Sequence, residues 1–407
     1  MTIDAADTAW MLLSAGLVML MTPALALFYG GMVQGKNVLS TFMHSFFALG
    51  LVSVQFALVG YSLAFGPDWH GVIGGLDNAG MSGVGLDAVS ADVHVPQLAW
   101  FAYQCMFAVI APALISGAYA ERMKFAAYAL FTLGWTTLVY DPIAHWSWAT
   151  GGWLNDLGAI DFAGGTVVHL SSGVSALVCA LVLGKRRGYP HVRHPPHDLT
   201  MTTIGAGILW FGWFGFNSGG ASAAGAALPL VNTHLAAAAG ALTWAIIEST
   251  RVGKLTMLGV ASGLVAGLVA ITPAAGYVSP MVSLVIGAAA GGICYGAVLL
   301  KGKFGYDDAL DAFGVHGVGG ATGALLTGLF ARAALNNDHG GGLSLAGKQL
   351  IGIGAAAAWS AVVTLALLKV IDKLLGLRVD AELEHDGLDG ALHGESAYGD
   401  AGSVAHS

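Results

Sequence analysis

Two histidines lie in apolar, glycine-rich surroundings: His169 ends the motif DFAGGTVVH, and His316 lies within the motif DAFGVHGVGG. An ionisable side chain at bilayer depth is costly to bury, so such groups usually face a cavity or each other. Imidazole also exchanges a proton near neutral pH. Each motif begins with an aspartate, Asp161 or Asp311, which we expect to cap the following helix. The motifs therefore predict a polar path through a membrane protein, in which two neutral histidines share a proton.

Two other interpretations of the histidines stay open at this point. Either histidine alone would fit a hydrogen bond between two helices, and a pair of them would fit a metal-dependent membrane enzyme. A metal centre needs further ligands at the same depth, but His44, Glu248 and His234 are predicted near the ends of their helices. A proline-broken polar loop has ligand-like spacing at His191, His194 and His197. We expect weak metal affinity there at most, and predict no metal, no cofactor and no enzymatic reaction.

Composition indicates a membrane protein. The 407 residues are 56% hydrophobic and only 10% charged, with a mean hydropathy of +0.71, and no soluble domain of this length carries so few charges. The formal net charge of −8 comes largely from seven acids between Asp380 and Asp400, so it does not indicate a cationic partner or nucleic acid. The three cysteines lie in apolar stretches, where we expect small core residues rather than disulfides.

Apolar stretches of roughly 20 residues, the length that crosses a bilayer core, recur along the chain. They predict an all-α integral membrane protein with eleven transmembrane helices, over 8–31, 40–65, 97–120, 125–144, 163–184, 199–218, 230–250, 255–274, 279–300, 310–332 and 346–372. With the N-terminus outside, fourteen of the sixteen Lys and Arg residues fall on one side. Short cytoplasmic loops carry such an excess, which predicts a cytoplasmic C-terminus.

The span order predicts a 5+5 inverted repeat. The polar linker 184–198 separates five spans from the next five, and an odd number of spans inverts the second half. The first repeat covers about 8–184 and the second about 199–332, so that each histidine lies in the last span of its half. Span 11 follows, giving a membrane transport domain over 1–375 and a cytoplasmic regulatory tail over 376–407.

Several long motifs in order resemble one family, the ammonium transporter, methylammonium permease and Rhesus proteins, in its bacterial ammonium transporter branch. They are ALFYGG (26–31), GKNVLS (35–40), AER (120–122), DFAGGTVVH (161–169), WFGFN (213–217), DAFGVHGVGG (311–320), GLRV (376–379), GLD (387–389) and HGESAY (393–398). The resemblance covers nearly the whole chain. It implies a homotrimer in the bacterial inner membrane, with a narrow apolar pore in each eleven-helix protomer.

The resemblance also implies roles for individual residues. It assigns ammonium recruitment to Phe107, Trp148 and Asp161, the stacked gate to Phe107 and Phe216, pore lining to Trp210, and the paired pore histidines to His169 and His316. One position departs from the family pattern, because Gly220 stands where many relatives have a serine that completes the outer site. Ser218, Ser222 or water are the expected substitutes.

The function implied is ammonium transport. Ammonium, or its analogue methylammonium, is captured at the aromatic site and deprotonated, and ammonia is conducted past the histidines, with or without a separately routed proton. Alternatives on the same scaffold are an ammonium sensor and an electroneutral gas channel, the latter disfavoured by Trp148. The resemblance further implies that a PII-family signal protein binds the tail in nitrogen regulation. The alternative is a solubilising tail, since its composition predicts little order in isolation.

Overall fold

The computed structural model describes residues 2–87, 94–192, 194–335 and 340–398. Arg193, one of the fourteen basic residues used for orientation, and the last nine residues of the tail lie outside the described residues. The described helices are α1 (Ala5–Met32), α2 (Val38–Gln55), α3 (Tyr61–Phe65), α4 (Gln97–Tyr119), α5 (Phe125–Trp135), α6 (Asp141–Trp148), α7 (Trp153–Leu157), α8 (Ser171–Leu183), α9 (Leu199–Ser218), α10 (Ala227–Val252), α11 (Met257–Ile271), α12 (Pro280–Phe304), α13 (Val318–Phe330), α14 (Leu343–Leu375) and α15 (Ala381–Asp386).

The helices confirm an all-α membrane protein. Within the described residues, nine helical segments are long and apolar enough to cross a bilayer. The other two predicted spans, 125–144 and 255–274, correspond to α5 joined to α6 through a π-helical turn and to the 15-residue α11. Leu12, Leu242 and Val362 are more than half exposed on α1, α10 and α14, as expected for side chains that face lipid. Eleven spans remain a prediction.

Among the described residues, four π-helical turns join or precede α-helices and a fifth lies in the tail after α15. They cover Phe56–Gly60, Thr136–Tyr140, Gly165–Leu170, Phe313–Gly317 and Asp389–His393. A π-turn shifts the helical register locally and frequently occurs at functional sites. The third and fourth of these turns contain the two histidines, immediately before α8 and α13.

Two glycines let the histidine helices cross at close range. Each lies four residues after its histidine: Gly173 on α8 and Gly320 on α13. A Cβ on Gly173 would lie 2.0 Å from the backbone nitrogen of Gly317, and one on Gly320 would lie 2.6 Å from the carbonyl oxygen of Gly165. Real Cβ atoms do not approach backbone so closely, so the crossing depends on the absence of side chains at both positions.

The C-terminal tail, residues 376–398, packs against one end of the helix bundle, which we call the tail face. Asp389 accepts hydrogen bonds from the backbone amides of Leu39 (3.0 Å) and Ser40 (2.8 Å) in the first turn of α2. The amide of the buried Leu388 donates to the side-chain oxygen of Asn37 at 2.8 Å. The described part of the tail is therefore ordered by contacts with the membrane domain.

The polar linker between α8 and α9 also meets the tail. Arg378 and the backbone amide of Arg187 both donate to Glu384. His197 contacts the hydroxyl of Tyr398 at 2.8 Å. These contacts join the linker, the tail and the start of α2 into one surface.

The opposite end of the bundle carries a short antiparallel hairpin, β1 (Asp68–Trp69) and β2 (Ile73–Gly74), and we call this end the hairpin face. The hairpin follows α3 and packs beside α6. The tail face and the hairpin face are the two ends of the candidate path described next.

Candidate functional site

A cavity of about 270 Å³ lies at the hairpin face, and we call it the vestibule. Phe107 from α4 and Trp148 from the end of α6 meet in it edge to face, with ring centroids 6.0 Å apart. The indole nitrogen of Trp148 donates to the carbonyl oxygen of Asp161 at 2.8 Å, which fixes the ring orientation. Two of the residues assigned to recruitment thus form one aromatic wall.

Gly220 lines the vestibule without contributing a side chain. Neither serine proposed as its substitute takes that place, because the Ser218 hydroxyl donates to the carbonyl of Phe214 and Ser222 lines a separate cavity. Two residues that the sequence analysis missed, Gln104 and Asn217, do line the vestibule. Oε1 of Gln104 and Oδ1 of Asn217 are buried and have no hydrogen-bond partner among the described residues. Their positions could have signalled them, since Gln104 lies one helical turn before Phe107 and Asn217 follows the gate residue Phe216.

Phe107 and Phe216 close the inner end of the vestibule. Their rings are stacked, with centroids 4.1 Å apart and planes 22° from parallel, and both side chains are buried. Tyr103 holds α4 against α9 at this level: its hydroxyl donates to the carbonyl of Phe216 at 2.6 Å, and its ring lies 4.8 Å from that of Phe107. The stacked rings separate the vestibule from the cavity behind them.

Behind the gate lies a cavity of only about 10 Å³, lined by apolar side chains and both histidines. That is close to the smallest volume that admits one water molecule. The rings of His169 and His316 are 5.4 Å apart and 25° from parallel. His169 also lies 5.2 Å from Trp213 and 5.8 Å from Phe216. The histidines therefore continue the row of rings that begins at the gate.

Three of the four ring nitrogens of the histidine pair neither accept nor donate a hydrogen bond within the described residues. Both ring nitrogens of His169 and Nδ1 of His316 are buried and have no hydrogen-bond partner within the described residues. The described residues include no hydrogen bond between the two rings, whose planes are 25° apart, so the expected proton sharing stays a prediction. The nitrogens are the polar groups that a small molecule in this cavity would meet.

Asp161 positions His169 through the backbone. Its two carboxylate oxygens accept four amide hydrogen bonds of 2.7 to 3.1 Å, from Gly164, Gly165, Thr166 and Val167. These are the amides at the start of the π-turn, which have no partner within the helix. The carboxylate of Asp161 is thus occupied by the cap, as its place in the motif predicts, while its recruitment role stays a prediction.

The corresponding cap for His316 is Asp308, and the prediction of Asp311 was wrong. Asp308 accepts from the amides of Ala312 (3.1 Å) and Phe313 (2.8 Å), whereas Asp311 has a positive φ of 62° and forms an ion pair with Lys301 at 2.5 Å. The loop turns before Asp311, so the earlier acid reaches the helix start. Each capping aspartate, Asp161 or Asp308, therefore lies eight residues before its histidine in the sequence.

Trp210 does not line the histidine cavity, so this prediction is corrected to Trp213. Leu209, Trp213 and Phe216 follow each other at helical spacing on α9 and all face the cavity. Trp210 is rotated about 100° from Leu209 on the helix, and its ring stacks on His234 with centroids 5.1 Å apart. Counting back one turn from Phe216 would have selected the correct tryptophan.

A third cavity, of about 40 Å³, continues toward the tail face. It shares Phe28, Val265 and His316 with the histidine cavity and is also lined by Asp311. The vestibule, the stacked gate, the histidine cavity and this inner cavity thus follow in series through the bundle.

Loops at the tail face are fixed by a buried ion-pair cluster. Arg186 pairs with Glu121 at 2.8 Å and with Asp307 at 2.9 Å. Burial raises the pKa of each carboxyl, but the Arg186 guanidinium together with other hydrogen bonds and the charge of Arg122 outweighs burial, and the pKa of both Glu121 and Asp307 is lowered. The cluster joins the loop after α4, the linker after α8 and the loop after α12.

Comparison with known proteins identifies relatives over almost the whole chain. A family model described as "Ammonium Transporter Family" matches residues 9–398. The ammonium transporter of Bacillus subtilis (strain 168) is 50% identical over 403 residues, covering 97% of this chain and 99% of that protein. The crystal structure of Saccharomyces cerevisiae Mep2 superposes with a TM-score of 0.87 at 40% identity, covering 94% of this chain and 91% of Mep2. A solved structure described as a sensor Amt protein gives a TM-score of 0.89 at 29% identity, covering 95% of this chain and 98% of that one.

Proposed function

Since the chain belongs to the ammonium transporter family, we propose that it captures ammonium in the vestibule, where ammonium releases one proton to water, and conducts ammonia past His169 and His316, with or without separate passage of the proton. The observation that carries this proposal is the series of cavities, in which the stacked gate leads into a small apolar space with unpartnered imidazole nitrogens. A membrane transporter of ammonium, and no enzymatic reaction, is the function that fits this arrangement.

Capture uses the aromatic wall and the two free oxygens. A cation over an aromatic face gains roughly 1–2 kcal/mol when partly dehydrated, and Phe107 and Trp148 offer such faces. Oε1 of Gln104 and Oδ1 of Asn217 accept the N–H groups of ammonium where Gly220 provides no hydroxyl. Ammonium presents four N–H donors and potassium presents none. Because both cations carry a single positive charge, acceptor oxygens distinguish them by hydrogen bonding and its geometry.

Passage requires the loss of charge. Moving a bare ion into an apolar space is prohibitively costly without compensating contacts, and the histidine cavity has room for about one small molecule. Ammonia can enter as a neutral molecule and exchange hydrogen bonds with the nitrogens of His169 and then His316. Potassium has no proton to leave behind and is therefore excluded by the same cost.

The assembly and orientation extend this proposal. We expect a homotrimer in the bacterial inner membrane, with the hairpin face outside and the tail face in the cytoplasm. Eleven spans with a 5+5 inverted repeat are supported by the matched caps, Asp161 and Asp308, each eight residues before a pore histidine within a π-turn. The membrane transport domain is residues 1–375 and the regulatory tail is 376–407.

The decisive test is current on solid-supported proteoliposomes after an ammonium pulse. The wild type should give an ammonium current if the released proton crosses the membrane by a separate route, and no potassium current in either case. The His169→Ala, His316→Ala double variant should lose the ammonium current or become permeable to potassium, whereas His191→Ala, on an exposed linker position, should behave as the wild type. Equal potassium and ammonium currents in the wild type would refute the mechanism.

An electroneutral channel would give no current but would still change the internal pH of the vesicles. One of the similar structures is described as a sensor Amt protein. If this chain were an ammonium sensor, it would bind ammonium with little flux of either kind. Internal pH recorded in the same vesicles separates these two outcomes from electrogenic transport.

The tail is proposed to receive a PII-family signal protein at the cytoplasmic face. Its contacts with the start of α2 and with the linker give such a partner a formed surface. Binding should be lost on deletion of residues 380–407. Retained binding after the deletion would leave the tail as a solubilising segment.

A further inference from the structure

A contact between a buried histidine and a partly exposed aspartate fastens the hairpin to the last turn of α6. His145 is fully buried, its Nε2 lies 2.9 Å from Oδ1 of Asp68, and its Nδ1 lies 3.0 Å from the carbonyl oxygen of Ala64. Both ring nitrogens therefore face oxygen acceptors. An imidazole donates to two acceptors only when both nitrogens carry protons, so with Asp68 ionised these contacts favour the imidazolium form.

The surroundings of the pair stabilise both charges. Asp68 is partly exposed at the hairpin face and also accepts from the amide of Gly71 at 2.8 Å. The hydrogen bond from His145 lowers the pKa of Asp68, so this carboxyl is ionised at neutral pH. His145 lies in the last turn of α6, where the helix dipole favours a cation. The positive charge on the imidazole is thus stabilised both by the Asp68 carboxylate and by the C-terminal end of α6.

The pair lies next to the vestibule. Trp148, which forms part of the aromatic wall, is the last residue of α6 and follows His145 by three positions, on the same side of the helix. Two uncharged contacts lie close by: the Trp146 indole donates to the carbonyl of Val72 at 2.7 Å, and the Trp153 amide donates to the carbonyl of Gly71 at 3.1 Å. The hairpin therefore holds the chain on both sides of Trp148.

From this geometry we infer that Asp68 and His145 are positioning residues, whose ion pair holds the end of α6 so that Trp148 faces Phe107 across the vestibule. The inference rests on the proposed function, since it assigns the pair to cation capture. The pair touches neither the gate nor the histidine cavity. Its loss should therefore weaken capture of the cation and leave the passage step unchanged.

Uptake of labelled methylammonium into proteoliposomes tests the functional part. Asp68→Asn keeps the size of the side chain and an oxygen for Gly71 but removes the charge. Asp77→Asn, at an exposed position of the segment after the hairpin, removes the same charge without touching α6 and is the matched control. We expect a roughly fivefold rise in KM for Asp68→Asn with Vmax within about twofold, the pattern of lost ground-state binding.

For Asp77→Asn, KM and Vmax should both stay within about twofold of the wild type. Asp68→Glu restores a carboxylate and should recover part of the affinity for methylammonium. An unchanged KM in Asp68→Asn, or an equal rise in Asp77→Asn, would overturn the inference. A fall in Vmax without a change in KM would overturn it as well, because the pair would then act on passage.

A second measurement does not depend on transport. The measurement is ¹⁵N-histidine NMR of the protein in bilayers, and the ring signal of His145 is identified by its absence from the spectrum of His145→Gln. In the wild type, that signal should show two protonated nitrogens. The same signal should change to a neutral ring in Asp68→Asn. A neutral His145 in the wild type would refute the ion pair. If the wild type took up no methylammonium, the proposed function would fail, and the NMR result would still decide the state of the pair.

Discussion

Replacing Asp161 with asparagine should destabilise the membrane domain more than it impairs cation binding. The carboxylate is buried and its two oxygens accept four backbone amides at 2.7 to 3.1 Å. Asparagine keeps one acceptor oxygen and places an NH₂ group against the other two amides. The variant therefore loses two hydrogen bonds to a charged group and gains a donor-to-donor contact.

The size of the effect follows from those two bonds. A hydrogen bond to a charged group contributes roughly 1.5–3 kcal/mol, and a buried donor without a partner adds to the loss. We expect Asp161→Asn to cost about 3–6 kcal/mol and to lower the unfolding temperature by at least ~5 °C. The assay is thermal unfolding of the detergent-solubilised protein, followed by size-exclusion chromatography and tryptophan fluorescence.

Asp308→Asn provides the matched control. Asp308 accepts one amide on each carboxylate oxygen, so the substitution removes one bond where Asp161→Asn removes two. Its loss of stability should be about half as large. If Asp161→Asn unfolded at the wild-type temperature but bound methylammonium poorly, the negative charge and not the cap would be the function of Asp161, and the reasoning above would be wrong.

Three further outcomes are expected. Gly173→Ala should fail to give folded protein in a detergent extraction screen, because its Cβ would lie 2.0 Å from a backbone nitrogen of the opposing helix. Trp213→Leu should reduce methylammonium uptake by roughly tenfold or more, about 1.4 kcal/mol, whereas Trp210→Leu should stay near the wild type, since only the former lines the histidine cavity. Arg186 lowers the pKa of Glu121 against the effect of burial, so this ion pair contributes full stability above the usual glutamate pKa of 4.5. That contribution should be lost as the pH falls through the lowered value, and Arg186→Gln should remove this part of the acid-induced fall in unfolding temperature.

The membrane class and the two histidines could be predicted because they stand out in composition. An ionisable residue within an apolar run is visible without coordinates, and both His169 and His316 were selected on that ground. The resemblance to a family supplied Phe107, Phe216 and Trp148, which the structure brings together around one path. Their assigned roles remain proposals.

The errors arose where a sequence pattern does not determine geometry. Asp311 begins its motif as Asp161 does, but the loop before it turns so that Asp308 reaches the helix start. Trp210 and Trp213 are both apolar residues of α9, and only the helical phase relative to Phe216 separates them. The contact between His145 and Asp68 joins segments far apart in the sequence, so no local pattern could indicate it.

The stacked gate limits the rate at which ammonia can pass through the protein. Phenyl rings 4.1 Å apart are in van der Waals contact, so nothing passes while both keep their positions. Each passage through the gate therefore requires one ring to rotate about its side-chain bonds. The hydroxyl of Tyr103 is hydrogen-bonded to the backbone carbonyl of Phe216, which limits how far the Phe216 backbone can move during that rotation. Turnover should accordingly show the activation enthalpy of side-chain motion in a packed interior, and cooling should slow it more steeply than diffusion through an open, water-filled pore.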